Sequence, residues 1–185
     1  MISDFYERRY MKYTESLQKA YDYAIKFSKK TGQYTGTQHM LLGILHCAPN
    51  LASEILTDEG VTENLTGQII DELLSFTQNV PAKGEDTTTP KFLIMMDNAE
   101  AIAQMCGMES VGTEHVILAI LRMPDCGAAR ILSTTKADLG TIFNKLLQAM
   151  GDEGDAYRRQ LYASHQNGDE GEYPALEEFT TDLTT

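Results

Sequence analysis

The residues of this chain with the widest chemical repertoire are four histidines, His39, His46, His115 and His165, and three cysteines, Cys47, Cys106 and Cys126. Imidazole and thiolate side chains hold zinc when they gather in sets of three or four at short spacings. Here His39 and His46 stand seven apart and His46 adjoins Cys47, but no Asp, Glu, Cys or His completes a set, so no metal site is expected. No serine sits in a G-x-S-x-G elbow, and no cysteine carries a local nucleophile signature. The phosphate-cradling loop G-x-x-x-x-G-K-[ST] is absent, so the chain is not expected to bind nucleotide in the P-loop manner. With no catalytic residues and no cofactor to assign, the expectation is a binding module. An odd number of cysteines without a CxxC pair suits a reducing compartment and buried thiols.

Two of the histidines stand in a repeated context. Gly36-Thr37-Gln38-His39-Met40-Leu41-Leu42-Gly43-Ile44-Leu45 returns 76 residues later as Gly112-Thr113-Glu114-His115-Val116-Ile117-Leu118-Ala119-Ile120-Leu121. Upstream the match continues at an offset of 75, Thr14 answering Thr89 and Gly32 answering Gly107. The loop after the glycine is therefore one residue shorter in the first copy. Each unit of such a repeat hides an apolar face against its neighbour, and two copies imply one pseudo-twofold globule. His39 and His115, each in the first turn of its helix, are read as structural.

The elements that position these residues read as helices throughout. Leu17, Ala20, Tyr21, Ala24 and Ser28 form one apolar stripe, and Phe92, Met95, Met96, Ala99, Ala103 and Cys106 form its counterpart. Thr14 and Thr89 occupy N-cap positions, Glu15 and Pro90 favour the first turn, and Gly32 and Gly107 mark the stops. The second helix of each unit opens at Thr37 or Thr113, read as its N-cap. It is apolar almost all round, so it is expected to be buried at the centre. Shorter third helices over 51–56 and 128–132 and fourth helices over about 62–77 and 138–150 complete the set. The expected fold is all-α, a pseudo-twofold tandem repeat of two four-helix units. Its divisions are an arm at 1–12, repeat one at 13–78, a polar linker at 79–88, repeat two at 89–150 and an acidic flexible tail at 151–185.

The formal charge is −12, and nine acids against Arg158 and Arg159 fall in residues 151–185. This balance disfavours sequence-independent nucleic-acid binding, which relies on clustered cations, and docking on anionic membranes. The first residues lack the apolar run of a secretory signal, and no later run is long enough for a membrane helix. The protein is expected in the cytoplasm.

The doubled G-T-[EQ]-H helix start with its apolar continuation, together with Tyr13-Thr14-Glu15, resembles the Clp repeat domain at the N-terminus of Clp/Hsp100 AAA+ unfoldases. The resemblance covers roughly residues 13–150. The ending Pro174-Ala175-Leu176-Glu177-Glu178-Phe179-Thr180-Thr181-Asp182-Leu183 is similar to the segment by which ClpC-type proteins lead into their first ATPase module. The resemblance implies a receptor for substrates, taken directly or through adaptor proteins of the MecA type, that passes them to an AAA+ ring feeding the ClpP peptidase. An isolated domain is expected to be a monomer. The alternative is a stand-alone adaptor-docking or regulatory protein without its own ATPase.

In ClpC-type domains the resemblance further implies one phosphoarginine site per repeat, a carboxylate facing the guanidinium and the Thr-initiated first helix lying by the phosphate. Helix N-termini offer unpaired N–H groups to phosphate, and a carboxylate makes charge-assisted bonds to a guanidinium. Carried over repeat by repeat, Thr89 and Glu114 form one site. Thr14 falls to the other, where Gln38 replaces the carboxylate. Losing the charge forfeits about 1 kcal/mol, so the first-repeat site is expected to be weak or lost. Glu114 also has a purely local role open to it, favouring the helix dipole beside the threonine.

Overall fold

A computed structural model describes residues 11–76 and 87–166. In chain order these form β1 (Lys12–Tyr13), α1 (Glu15–Lys30), α2 (Thr37–His46), α3 (Leu51–Asp58), α4 (Glu63–Phe76), α5 (Pro90–Met105), β2 (Ser110–Val111), α6 (Thr113–Leu121), α7 (Gly127–Thr134), α8 (Leu139–Met150) and α9 (Asp152–Gln166). The expected arm and linker lie mostly outside the described residues, as does the tail from 167 onward.

Both first helices start as their sequences dictate. Thr14 Oγ1 accepts from Leu17 N at 3.2 Å, and Thr89 Oγ1 accepts from Phe92 N at 3.2 Å. Both also stop as expected: Gly32 and Gly107 adopt φ of +71° and +75°, which lets the next N–H reach back to the helix. Gln33 N donates to Ser28 O at 2.8 Å, and Met108 N to Ala103 O at 2.9 Å. These are Schellman closures, for which the left-handed glycine is the usual requirement.

The central helices α2 and α6 are buried from Thr37 to Leu45 and from Thr113 to Leu121, with one exception each, Gln38 and Glu114. Their caps correct the sequence reading by one residue. Gly36 and Gly112 are the N-caps, and Thr37 and Thr113 are the first helical residues. The Thr37 hydroxyl reaches into the other repeat instead, where its Oγ1 accepts from Ala128 N at 3.0 Å at the start of α7.

Packing is crossed between the repeats. α1 lies on α2 and α5 on α6, but α2 also packs on α7 of the second repeat, and α6 on α3 of the first. One hydrophobic core runs through both halves. Cys106 and Cys126 are buried in it, while Cys47, at the C-cap of α2, is only half-buried. Cys126 has an additional role, its Sγ accepting from Ala129 N at 3.4 Å as the N-cap of α7.

Two features differ from the sequence reading. The repeats are tied by short parallel pairings, Tyr13 with Val111 in β1–β2 and Thr35 with Thr88 as a single bridge. And residues 152–166, expected to be flexible tail, form α9, with Tyr157 and Leu161 buried against the second repeat. Two large apolar anchors four residues apart hold a helix whose remaining positions are mostly polar or small.

Leu118 is fully buried at the middle of α6. Leu118→Asp is expected to remove the native circular dichroism at 25 °C, because an unpaired buried charge costs upwards of about 4 kcal/mol out of a total stability of order 5–15 kcal/mol. Leu93→Asp, at an exposed position on α5, is expected to shift stability by no more than about 0.5 kcal/mol. A native spectrum for Leu118→Asp would contradict this assignment of the core.

Candidate functional site

Gln38 and Glu114 are the second residues of buried helices, and each side chain folds back over the glycine that caps its own helix. A Cβ added to Gly36 would come within 2.4 Å of Gln38 Oε1, and one added to Gly112 within 2.4 Å of Glu114 Oε1. A side chain at either glycine would push that head group aside. The polar head groups lie at the first turn of an otherwise buried helix.

The histidines one residue further on fix the loop that leads into each helix. Gly36 N donates to His39 Nδ1 at 2.9 Å, and Gly112 N donates to His115 Nδ1 at 2.9 Å. This is a capping box in which imidazole supplies the acceptor that Glu or Gln provides elsewhere. Because Nδ1 accepts, Nε2 carries the proton in both rings. His39 Nε2 donates it to Gln33 Oε1 at 3.1 Å. At the position matching Gln33 the second repeat has Met108, and His115 Nε2 has no hydrogen-bond partner among the described residues. Burial lowers the His39 pKa to about 4. It lowers that of His115 as well, against the opposing pull of the Glu114 charge. The 3.8 Å approach of Glu114 Oε1 to His115 Nδ1 is thus no ion pair in the neutral ring. Beneath the same loop, burial pushes the Cys106 thiol up to about 12, with Glu153 and Glu114 adding to the effect.

The threonines join these side chains in a different grouping from the one carried over repeat by repeat. Thr14 N donates to Val111 O at 2.9 Å, which sets the start of α1 beside the start of α6 and Glu114. Thr89 N donates to Thr35 O at 2.9 Å, which sets the start of α5 beside Gln38. Within a repeat the two helices run in opposite directions. Lys91 Nζ, in the first turn of α5, donates to Asp125 just beyond the end of α6, 2.8 Å from both Oδ2 and the main-chain oxygen. Helices of this length span about 15 Å, so Thr89 lies at the far end of α6 from Glu114. The two groups are Thr14 with Glu114 and Thr89 with Gln38, each built across the repeats.

They differ in more than one charge. At the first group, the opening turn of α1 offers the N–H groups of Glu15 and Ser16, and the Glu15 carboxylate is drawn toward Lys19 at 2.7 Å. At the second, Pro90 has no N–H to offer, and Lys91 is the nearby cation. Gln38 there also faces the start of α7, where a Cβ on Gly127 would be 2.7 Å from Gln38 Oε1. Sequence reasoning named Thr14, Thr89, Gln38 and Glu114 as candidates and did not name Lys91 or Gly127, whose nearness follows only from the packing. Among the described residues no group of three or more His, Cys, Asp or Glu could hold a metal ion, and no single helix is long and apolar enough to cross a membrane.

Against known proteins, the profile of the Clp repeat (R) N-terminal domain matches residues 12–135. The chain belongs to the Clp repeat N-terminal domain family. It is 27% identical over 131 residues to a probable ATP-dependent Clp protease ATP-binding subunit of Chlamydia pneumoniae, covering 68% of this chain and 16% of that protein. It is 24% identical over 174 residues to the chloroplastic chaperone protein ClpC of Pisum sativum, covering 94% and 18%, and 25% identical over 174 residues to the chaperone protein ClpB of Oceanobacillus iheyensis, covering 94% and 21%. The chain thus spans about a fifth of the length of these relatives. Its fold is similar to that of the N-terminal domain of ClpD from Arabidopsis thaliana, with a TM-score of 0.60 at 17% identity over 75% of this chain and 97% of that one. The N-terminal domain of Hsp104 from Candida albicans gives 0.63 at 15% identity, over 76% and 93%.

The buried imidazoles make this Clp repeat domain sensitive to acid. The unfolded chain takes up a proton at His39 near pH 6.5, whereas the folded chain resists until about 4. The unfolded state therefore binds more protons in that window. Stability is complete above pH 6.5, falls as the pH drops toward 4 and levels off below it, a loss of up to about 3 kcal/mol for one such group. Urea midpoints measured from pH 7.5 to 4 are expected to fall more steeply in the parent than in His39→Gln, which keeps an acceptor but does not titrate. Parallel profiles would remove His39 as the source.

Proposed function

We propose that this Clp repeat domain is the substrate- and adaptor-receiving part of a ClpC-like protein unfoldase that delivers proteins to the ClpP peptidase. In that role it meets substrate proteins, adaptor proteins of the MecA type and, in the full-length context, an AAA+ ring with ClpP. The domain itself is a monomeric cytoplasmic binding module. The reading rests on membership of the family and on names such as ClpC and Clp protease ATP-binding subunit among its relatives.

Within that role, recognition of phosphoarginine centres on Glu114. The observation that carries it is that Glu114 is the one side chain of α6, from Thr113 to Leu121, that escapes full burial, and it does so beside the N-terminus of α1. A guanidinium meets the carboxylate in charge-assisted bonds, and the phosphate meets the Thr14 hydroxyl and the N–H groups that open α1. The pseudo-equivalent group, Thr89 with Gln38, keeps an acceptor but lacks the charge. It is weaker by roughly fivefold or more, the equivalent of about 1 kcal/mol.

Calorimetric titration with free phosphoarginine tests this reading. The parent is expected to show one site, Glu114→Ala none and Gln38→Glu two, with circular dichroism unchanged in each. Equal affinity in Glu114→Ala would remove Glu114 from the site. Absence of binding in all three proteins would leave adaptor docking as the function.

A further inference from the structure

The duplication lets each half serve as a template for reading the other. In the second repeat α9 lies over α5 and α8. Its Tyr157 hydroxyl accepts from Arg122 Nη1 at 3.1 Å at the end of α6, and Gln160 Nε2 donates to Met105 O at 3.3 Å at the end of α5. Gly154 approaches α8 so closely that a Cβ there would stand 2.1 Å from Leu147 O. At offsets of 75 and 76, the matching surface of the first repeat belongs to α1, α2 and α4. Among the described residues it is open, a groove of about 400 Å³ whose walls include Tyr23, Phe27, Leu42, Glu63, Gly67 and Asp71.

The two surfaces share a shape and differ in chemistry. Leu139, Phe143 and Leu147 of α8 stand where α4 has Glu63, Gly67 and Asp71, while Asn98 and Ile102 of α5 stand where α1 has Tyr23 and Phe27. Aromatic bulk has moved from one wall to the other. At Gly67, where α8 carries the Phe143 ring, an added Cβ would meet nothing within 4 Å. Tyr23 is braced by His46, stacked on it at 3.9 Å between centroids and 18° between planes, and His46 Nδ1 is 2.6 Å from Glu63 Oε1. The lining carries two carboxylates, Glu63 and Asp71, and no Lys or Arg.

We propose that the α1–α4 groove is the docking surface for an amphipathic helix of a partner protein, with an apolar stripe spaced like Tyr157 and Leu161 and Lys or Arg beside it. Helix-in-groove recognition needs an apolar floor and flanking charge of opposite sign. Tyr23, Phe27 and Leu42 give the first, and Glu63 and Asp71 the second. A helix like α9 itself has the stripe and two arginines, Arg158 and Arg159, but Asp152, Glu153 and Asp155 in its first turn outnumber them and leave it a net charge of −1. This disfavours α9 of a second copy as the occupant. The groove is separate from the Glu114 group and does not depend on phosphoarginine binding there.

Two fluorescent peptides test the proposal against the whole chain by anisotropy: residues 152–166 unaltered, and the same peptide with Asp152, Glu153 and Asp155 replaced by Lys. The lysine peptide is expected to bind at least about tenfold more tightly than the unaltered one, because three charges change sign opposite the groove's carboxylates. Asp71→Lys in the domain is expected to narrow that difference. Gly67→Phe, which places in the groove the ring that α8 carries at Phe143, is expected to abolish binding while the circular dichroism stays native. Failure of the lysine peptide to bind, or binding indifferent to both substitutions, overturns the proposal. Tighter binding of the unaltered peptide also overturns it, in favour of a second copy's α9.

Discussion

Two short backbone pairings, Tyr13 with Val111 and Thr88 with Thr35, fix where everything else in this molecule stands. Each ties the approach to one repeat's first helix to the approach to the other repeat's central helix. The hydrogen bonds of Thr14 N to Val111 O and of Thr89 N to Thr35 O follow directly, and they bring a helix N-terminus alongside a helix start that carries a polar side chain. Thr37, capping α7 from the opposite repeat, adds a side-chain bond in the same sense. Neither half owns a complete candidate site. A buried N–H or carbonyl left without its partner costs about 1–3 kcal/mol, so the pairing holds the two halves in register as well as in contact.

Within this shared frame the two copies have diverged at the places where they meet solvent. The buried residues repeat in kind, Leu42 with Leu118 and His39 with His115. The differences concentrate at the edges: Gln38 for Glu114, Gln33 for Met108, Ser16 for Lys91 and the α4 wall for the α8 wall. A core position is constrained by both halves at once, because α2 packs on α7 and α6 on α3. A surface position answers to one half only and is free to take a different chemistry. The second repeat carries a covering helix, α9, which the Tyr157 and Leu161 anchors hold in place.

Local patterns in the sequence carry the eight repeated helices well. Thr14 and Thr89 cap, Gly32 and Gly107 stop, and the apolar runs after His39 and His115 are buried, because each of these depends on neighbours within a turn. Three things escape such reasoning. The grouping of Thr14 with Glu114 depends on strand pairing between segments almost a hundred residues apart, which periodicity inside a repeat cannot express. The imidazole caps are hidden because histidine is not a usual acceptor at the third helical position, and its tautomer is set by the glycine N–H it meets. And α9 is masked by composition: glycine and acid dominate its first turn, yet Gly154 is there because a side chain would strike Leu147 O, so a residue that reads as a helix breaker is what allows the helix to approach.

The crossed pairings also bear on how such a molecule could have arisen. A lone ancestral repeat with this sequence pattern would have presented an unpaired backbone segment and a half-covered central helix, and its own twin is the surface that completes both. Its folding would have waited on a bimolecular encounter and risen with protein concentration. Joining two copies in one chain replaces that encounter with an internal one, at an effective concentration set by the connection and not by the protein concentration. Once joined, the copies no longer need to be identical, and a self-complementary pair becomes free to present two unlike faces.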